Sequence, residues 1–145
     1  MKIEEQVLSI EQMKHLQELG VDTSDASMVW IKQDSTLLPD NIKELWWVDT
    51  YYDSLKPMVE QDDSGFVQTY TIGDLIKKLP KSIDIGYGEY DLEILIKGEY
   101  VEVKYANDGD YTPFSCSNLP LIESLYNILC WLAKTHKELL EVRNG

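Results

Sequence analysis

Positive charge, cysteine and long apolar runs are all scarce in this sequence. Thirteen basic residues stand against 26 acidic ones, which gives a formal net charge of −13. A surface this negative repels phosphate backbones and anionic head groups, so we expect neither non-specific nucleic-acid binding nor membrane binding. The charge is compatible with a basic protein partner, and equally with a protein whose acidity only keeps it dissolved.

The two cysteines, Cys116 and Cys130, are fourteen residues apart and lack the CxxC spacing or paired histidines of a zinc site. We therefore expect two reduced thiols and no cofactor. No segment of 18 apolar residues exists, and acids stand at the N-terminus where a signal peptide needs cations. We expect a cytoplasmic protein. The lack of repeats and of low-complexity tracts predicts one domain over residues 1–145.

The stretch 90–105 predicts a β-hairpin. Apolar residues alternate with charged ones in both halves, which is typical of strands with one buried face. A two-residue loop at Lys97-Gly98 places Ile94 opposite Val101 and puts the aliphatic side chains on one side of the hairpin. A bulged connection with its glycine in the left-handed region is the alternative.

A long helix is predicted after the hairpin. It begins near Ser117 or Asn118, either of which can cap it, and Pro120 is tolerated in its first turn. Apolar residues then recur at three- and four-residue steps and form one stripe. The stripe consists of Leu121, Ile122, Leu125, Ile128, Leu129 and Leu132. We expect this helix to cover the apolar face of the hairpin.

Two shorter helices have recognisable N-terminal caps. Ser9 is followed three residues later by Gln12, and Thr71 is followed by Asp74 at the same distance, which is the spacing of a capping box. The residue types also suit the reciprocal hydrogen bonds of that motif. The sequence therefore predicts helices that start immediately after Ser9 and after Thr71.

The predicted elements together indicate the α+β class. Strands are expected at 27–32 and 45–52 in addition to the hairpin, and a surface loop is expected at 56–64 because of its proline and three acids. We predict an antiparallel sheet of three or four strands, packed on one face by the long C-terminal helix and the two shorter helices.

Four large aromatic residues lie in the strand predicted at 45–52. They are Trp46, Trp47, Tyr51 and Tyr52. Aromatic side chains supply much of the buried area of a small domain, so the first interpretation places them in the core and on the sheet face. The second interpretation is an exposed surface for binding a partner protein or for forming a homodimer.

The other face of the hairpin carries residues that resemble an enzyme site. Asp91 precedes Glu102-Val103-Lys104 by eleven residues, and the predicted register places Asp91 opposite Lys104 and Glu93 opposite Glu102. The pattern resembles the Asp…Glu-x-Lys motif of restriction-type nucleases, in which two carboxylates hold Mg²⁺ and the lysine helps orient water. Short Glu-x-Lys strings are also common on the wet face of amphipathic strands, and facing glutamates cost little in water. We predict no enzyme, with a Mg²⁺-dependent nuclease as the alternative.

Three parts of the chain together resemble a group of proteins. They are Leu8-Ser9-Ile10-Glu11-Gln12-Met13 with Gln17-Glu18-Leu19-Gly20-Val21-Asp22-Thr23-Ser24, then Tyr70-Thr71-Ile72-Gly73-Asp74-Leu75 with Leu79-Pro80, and finally Leu125-Tyr126 with Leu129-Cys130-Trp131-Leu132. They are similar to segments of small uncharacterised proteins of Bacteroides-type gut bacteria and of their prophages and mobile elements. The resemblance implies an origin and no activity. The acidity, the potential aromatic surface and the lack of catalytic geometry favour a non-enzymatic accessory protein of a mobile element that binds another protein. An inhibitor or immunity protein that masks a basic surface is one example.

Overall fold

The computed structural model describes residues 5–42, 44–61, 63–86, 88–109 and 111–141. The remaining positions, which the one-domain prediction also spans, lie outside the described residues. The helices are α1 (Ile10–Glu18), α2 (Lys56–Val59), α3 (Ile72–Lys78), α4 (Leu121–Thr135) and α5 (Glu138–Glu141). The strands are β1 (Met28–Lys32), β2 (Trp46–Thr50), β3 (Phe66–Thr69), β4 (Ser82–Asp84), β5 (Glu89–Lys97), β6 (Tyr100–Ala106) and β7 (Phe114–Ser117).

The strands form two antiparallel sheets. One has the order β2-β1-β3, and the other has the order β4-β5-β6-β7. The predicted α+β class is confirmed. The strands near 27–32 and 45–52 do not join the hairpin, because β3 pairs with β1 and completes a separate three-stranded sheet. No helix among the described residues is both long enough and apolar enough to cross a membrane.

The hairpin of β5 and β6 forms with a register two residues away from the predicted one. Lys97 pairs with Tyr100, so the loop is Gly98-Glu99, one residue later than predicted. The loop glycine has a φ of 62°, and a glycine at the first loop position suits a type II′ turn. Because the shift is even, the apolar face is preserved, and Ile94 now lies opposite Val103.

α4 packs on β6 and β7 and covers the apolar face of the hairpin, as predicted. Its buried apolar side chains are Ile122, Leu125, Ile128, Leu129, Cys130, Leu132 and Ala133. Val103 and Tyr105 are fully buried on the sheet side. Burying one large apolar side chain contributes about 1.5–3 kcal/mol before conformational entropy is subtracted. This interface is therefore a major source of stability.

The start of α4 differs from the prediction. Ser117 is the last residue of β7, and Asn118 has a φ of 65°, so neither residue caps the helix. Pro120 occupies the N-cap position and makes no side-chain cap hydrogen bond. The strand extends as far as Ser117 because residues 114–117 pair with β6, which the sequence did not predict.

Both predicted capping boxes are present. The Gln12 amide donates to Ser9 Oγ at 3.1 Å, and the Ser9 amide donates to Gln12 Oε1 at 2.9 Å. Thr71 and Asp74 exchange the equivalent pair of hydrogen bonds at 3.0 Å each. α1 and α3 both pack against α4, so the three helices and the four-stranded sheet share one cluster of buried residues.

Candidate interaction surface

β2 is an edge strand, and this position determines where its aromatic side chains lie. Trp46 and Tyr51 are half-buried, whereas Trp47 is 38% exposed and Tyr52 is 63% exposed. None of the four belongs to the buried core, so the core part of the first interpretation is wrong, whereas the half-burial of Trp46 and Tyr51 is compatible with its sheet-face part. The core lies between the helices and the four-stranded sheet, and among the described elements β2 packs extensively only against β1.

Trp47 belongs to an apolar row that crosses the three-stranded sheet. Ile31 lies directly opposite Trp47, and Phe66 lies directly opposite Ile31 on the other side. Residues that oppose each other in antiparallel strands project from the same face. Ile31 and Phe66 are half-buried and Trp47 is exposed, so this face presents apolar surface next to the sheet edge.

Exposed apolar side chains are concentrated in the segment 37–58, which contains β2. Of the eleven large apolar side chains that are exposed in the described parts of the chain, six lie within residues 37–58. These six are Leu37, Ile42, Leu45, Trp47, Tyr52 and Met58. We call them, together with the half-buried Trp46 and Tyr51, the β2 surface. Large exposed apolar surfaces in folded proteins often mark interaction sites.

Negative charge predominates in the segment that carries the β2 surface. Residues 34–63 contain eight acidic residues and two basic ones. Acidic and apolar residues are interspersed here, so a partner would meet negative charge around each apolar contact. Such a surface is complementary to apolar groups that are surrounded by lysine or arginine.

An open groove of about 660 Å³ lies beside Trp46. At its rim, Trp46 Nε1 donates to Glu44 Oε1 at 2.7 Å. Lys32 Nζ is 4.0 Å from the same carboxylate oxygen and 6.0 Å from the centroid of the Trp46 ring. An indole face and a carboxylate both attract a cation. This corner of the surface therefore already holds a lysine ammonium of its own chain.

The structure does not bring the three residues of the nuclease-like pattern together. Asp91 lies opposite Ala106, and Lys104 lies opposite Glu93. The predicted pairs of Asp91 with Lys104 and of Glu93 with Glu102 are wrong because the hairpin loop is displaced by one residue. Four extended residues, about 13 Å, separate the row of Asp91 from the row of Glu102.

Lys104 stands between two glutamates on this face. Its Nζ is 3.2 Å from Glu102 Oε1, and Glu93 is its cross-strand neighbour. The hydrogen bond to Glu102 and the attraction of both carboxylates raise the pKa of the Lys104 ammonium. With Ile94 and Leu95, these residues line a shallow depression of about 260 Å³. The two carboxylates thus do not oppose each other but flank one lysine of the same chain.

Within the described ranges, no group of three or more His, Cys, Asp and Glu side chains is arranged to hold a metal ion. Both cysteines are free thiols, as the sequence predicted. Cys130 is buried in α4, and its burial raises the pKa of the thiol. A thiol with a raised pKa forms little of the nucleophilic thiolate near neutral pH.

Leu45 and Met58 belong to the β2 surface although no sequence pattern indicated a binding role for them. The available signal was their position among acids in residues 34–63. The sequence prediction also missed the helix that carries Met58. Residues 56–59 form α2 where a loop was predicted, and Pro57 fits there because the first turn of a helix tolerates proline.

Comparison of the chain with protein-family models, with curated proteins and with solved structures finds no match. The role of the β2 surface is therefore inferred from its own geometry and charge.

Proposed function

We propose that this protein is a non-enzymatic interaction protein that binds a basic protein partner through the β2 surface. An inhibitor or immunity protein that masks a basic surface is the concrete form of this role. The acidity of the chain and the exposed aromatic side chains support an accessory role of this kind. The proposal also places the protein in the cytoplasm, where the reduced thiols that we expect are ordinary.

The observation that carries the proposal is the exposure of Trp47 and Tyr52 within an acidic segment. Tryptophan and tyrosine are enriched among the residues that dominate binding energy at protein interfaces. The net charge of −13 adds long-range attraction toward a positive partner and repulsion toward a negative one. Apolar contact and charge selection therefore both favour a basic protein.

The test is recovery of a partner with two matched double variants. Immobilised wild-type protein, Trp47→Ser/Tyr52→Ser and Leu95→Ser/Ile96→Ser would be incubated with an extract of the native host. Leu95 and Ile96 are also exposed, at 47% and 59%, but they lie at the tip of the hairpin. The second variant therefore controls for a general loss of surface hydrophobicity.

We expect wild-type protein and the hairpin variant to recover the same basic protein, and the β2 variant to recover about tenfold less of it. The purified partner should then bind wild-type protein directly in a calorimeter. Recovery of no partner, or equal recovery by both double variants, would contradict the proposal. Mass spectrometry gives the identity of the partner and hence its net charge.

A further inference from the structure

The outer edge of β2 offers backbone hydrogen-bonding groups to a partner. The Gln33 amide donates to the Leu45 carbonyl at 2.8 Å, and the Tyr51 amide donates to the Ser27 carbonyl at 3.0 Å. Hydrogen-bonding direction alternates along a strand, so the odd-numbered residues of β2 face β1. The backbone groups of Trp46, Val48 and Thr50 consequently point away from β1. No described strand pairs with that side.

This edge has little of the protection that is usual for edge strands. Natural edges are blunted by lysine, proline, bulges or a covering element. β2 has the sequence Trp-Trp-Val-Asp-Thr, in which the one charged residue is Asp49. The Thr50 amide donates to Asp49 Oδ1 at 2.8 Å, so its donor is already used. Trp46 and Val48 remain as the two outward positions available to an added strand.

The charge around the edge selects what can pair there. A second copy of this chain would bring another segment with eight acids and two bases against the first. Like charges across neighbouring strands destabilise the pair, so self-association is disfavoured. A strand rich in lysine or arginine would instead place its cations beside Asp49 and over the exposed Trp47 ring, where an indole face attracts them.

We propose that the partner adds a basic, extended segment to the open edge of β2 and becomes a fourth strand of the β2-β1-β3 sheet. This inference rests on the proposed function and specifies how binding occurs. In strand addition, main-chain hydrogen bonds supply affinity and alternate side chains supply specificity. The backbone groups of Trp46 and Val48 supply the hydrogen bonds. The side chains of Trp47 and Asp49 select a positively charged segment, because both attract cations.

The first probe is a short synthetic peptide in which lysine and valine alternate. Its two controls are the same peptide with glutamate in place of lysine, and the lysine peptide with N-methylated amides through its centre. Backbone N-methylation removes the donors that a strand needs on either edge. We expect the lysine peptide to bind, the glutamate peptide not to bind, and N-methylation to weaken binding by about tenfold or more.

A second probe changes the protein. Val48→Pro removes the outward amide of β2 and leaves its hydrogen bonds to β1 in place, since proline is tolerated at such edge positions. Val48→Ala is the matched control, because it shortens the side chain and keeps the amide. We expect Val48→Pro to lose binding of the lysine peptide and of the recovered partner, and Val48→Ala to retain both.

Amide hydrogen exchange of the wild-type protein gives a readout that does not depend on any variant folding. At saturating lysine peptide, exchange at the Trp46 and Val48 amides should slow by about tenfold or more, because the edge becomes paired. Strand addition is wrong if the lysine peptide does not bind, or if it binds without protecting these amides. If a basic partner is lost in the Trp47→Ser/Tyr52→Ser variant but retained by Val48→Pro, the proposed function stands and strand addition fails.

Discussion

At the scale of single residues, Tyr70 joins distant parts of the chain. Its ring is fully buried, and its hydroxyl lies 2.6 Å from Asp25 Oδ1 and 2.9 Å from the Asp22 carbonyl oxygen. Lys78 Nζ donates to the same two residues at 3.0 and 2.8 Å. Burial, and then the hydrogen bond and charge of Asp25, raise the pKa of Tyr70. The phenol therefore stays a neutral donor at every ordinary pH.

We predict that Tyr70→Phe lowers the free energy of unfolding by about 1–2 kcal/mol, because the ring packing is kept while a hydrogen bond to a carboxylate is lost. Urea denaturation followed by tryptophan fluorescence measures the change. Tyr52→Phe is the control, since that side chain is 63% exposed and should shift the unfolding free energy by less than about 0.5 kcal/mol. If Tyr70→Phe changed the free energy of unfolding as little as Tyr52→Phe does, the Tyr70 hydroxyl would be shown to contribute nothing to stability.

Residue roles were predictable where partners are close in sequence. Ser9 and Gln12 are three residues apart, and their spacing alone predicted the capping box that the structure contains. Tyr70 lies 45 residues from Asp25 and 48 from Asp22, so no local pattern indicated their contact. The same limit applied to the aromatic residues of β2, because exposure depends on which elements the rest of the chain places over them.

At the scale of elements, Asp74 connects α3 to the start of β1. Its Oδ2 accepts from the Thr71 amide at 3.0 Å, as part of the helix cap. The same oxygen accepts from the Ser27 amide at 3.0 Å and from the Ser27 hydroxyl at 2.6 Å. One carboxylate thus caps a helix and fixes the residue that precedes a strand of the three-stranded sheet.

We predict that Asp74→Ala lowers the free energy of unfolding by about 1–3 kcal/mol, since it removes the carboxylate half of the capping box and leaves the Ser27 and Thr71 donors without this acceptor. Asp74→Asn keeps an acceptor oxygen and should cost less. Thermal and urea unfolding of both variants would measure the difference. Should Asp74→Ala leave stability within about 0.5 kcal/mol of wild type, the connection would be shown to be dispensable.

Elements were predictable in proportion to their length and periodicity. α4 has 15 residues and β5 has nine, and both were expected from their apolar patterns. β4 has three residues and β3 has four, which is too short for alternation to stand out. The predicted hairpin register was wrong because it depended on which two residues form the loop. The apolar pattern could not correct it, since both registers place the same side chains on the same face.

At the scale of the whole molecule, acidity dominates the electrostatics. Four ion pairs join described residues: Lys32 to Glu44, Lys56 to Glu60, Lys78 to Asp25 and Lys104 to Glu102. All four involve side chains with solvent access, and such pairs contribute little individually. With 26 acidic residues in the chain, repulsion among carboxylates opposes the compact state.

We predict that raising NaCl from about 20 mM to about 300 mM stabilises the protein, because the Debye length shortens and the repulsion is screened. The expected rise in Tm is about 2–4 °C, which corresponds to roughly 1 kcal/mol for a chain of this size. The variant Asp40→Asn/Asp53→Asn carries two fewer negative charges and should respond less. An unchanged or lower Tm in wild-type protein at the higher salt concentration would contradict the prediction.

The α+β class and the charge were readable from composition and pattern, whereas the division into two sheets was not. Strand pairing is decided by contacts between residues far apart in the chain. β1 could in principle pair with any exposed strand, and its pairing with Phe66–Thr69 depends on packing that no local pattern contains.

The two sheets are each built from a continuous part of the chain, 28–69 for the first and 82–117 for the second, and α4 follows both. During synthesis the first sheet can therefore assemble before the second has left the ribosome. The second sheet cannot bury its apolar face by itself, because Val103 and Tyr105 stay exposed to solvent until residues 121–135 emerge. A chain whose synthesis stops before α4 would expose this apolar face. Such a chain would therefore become a substrate for chaperones and proteases.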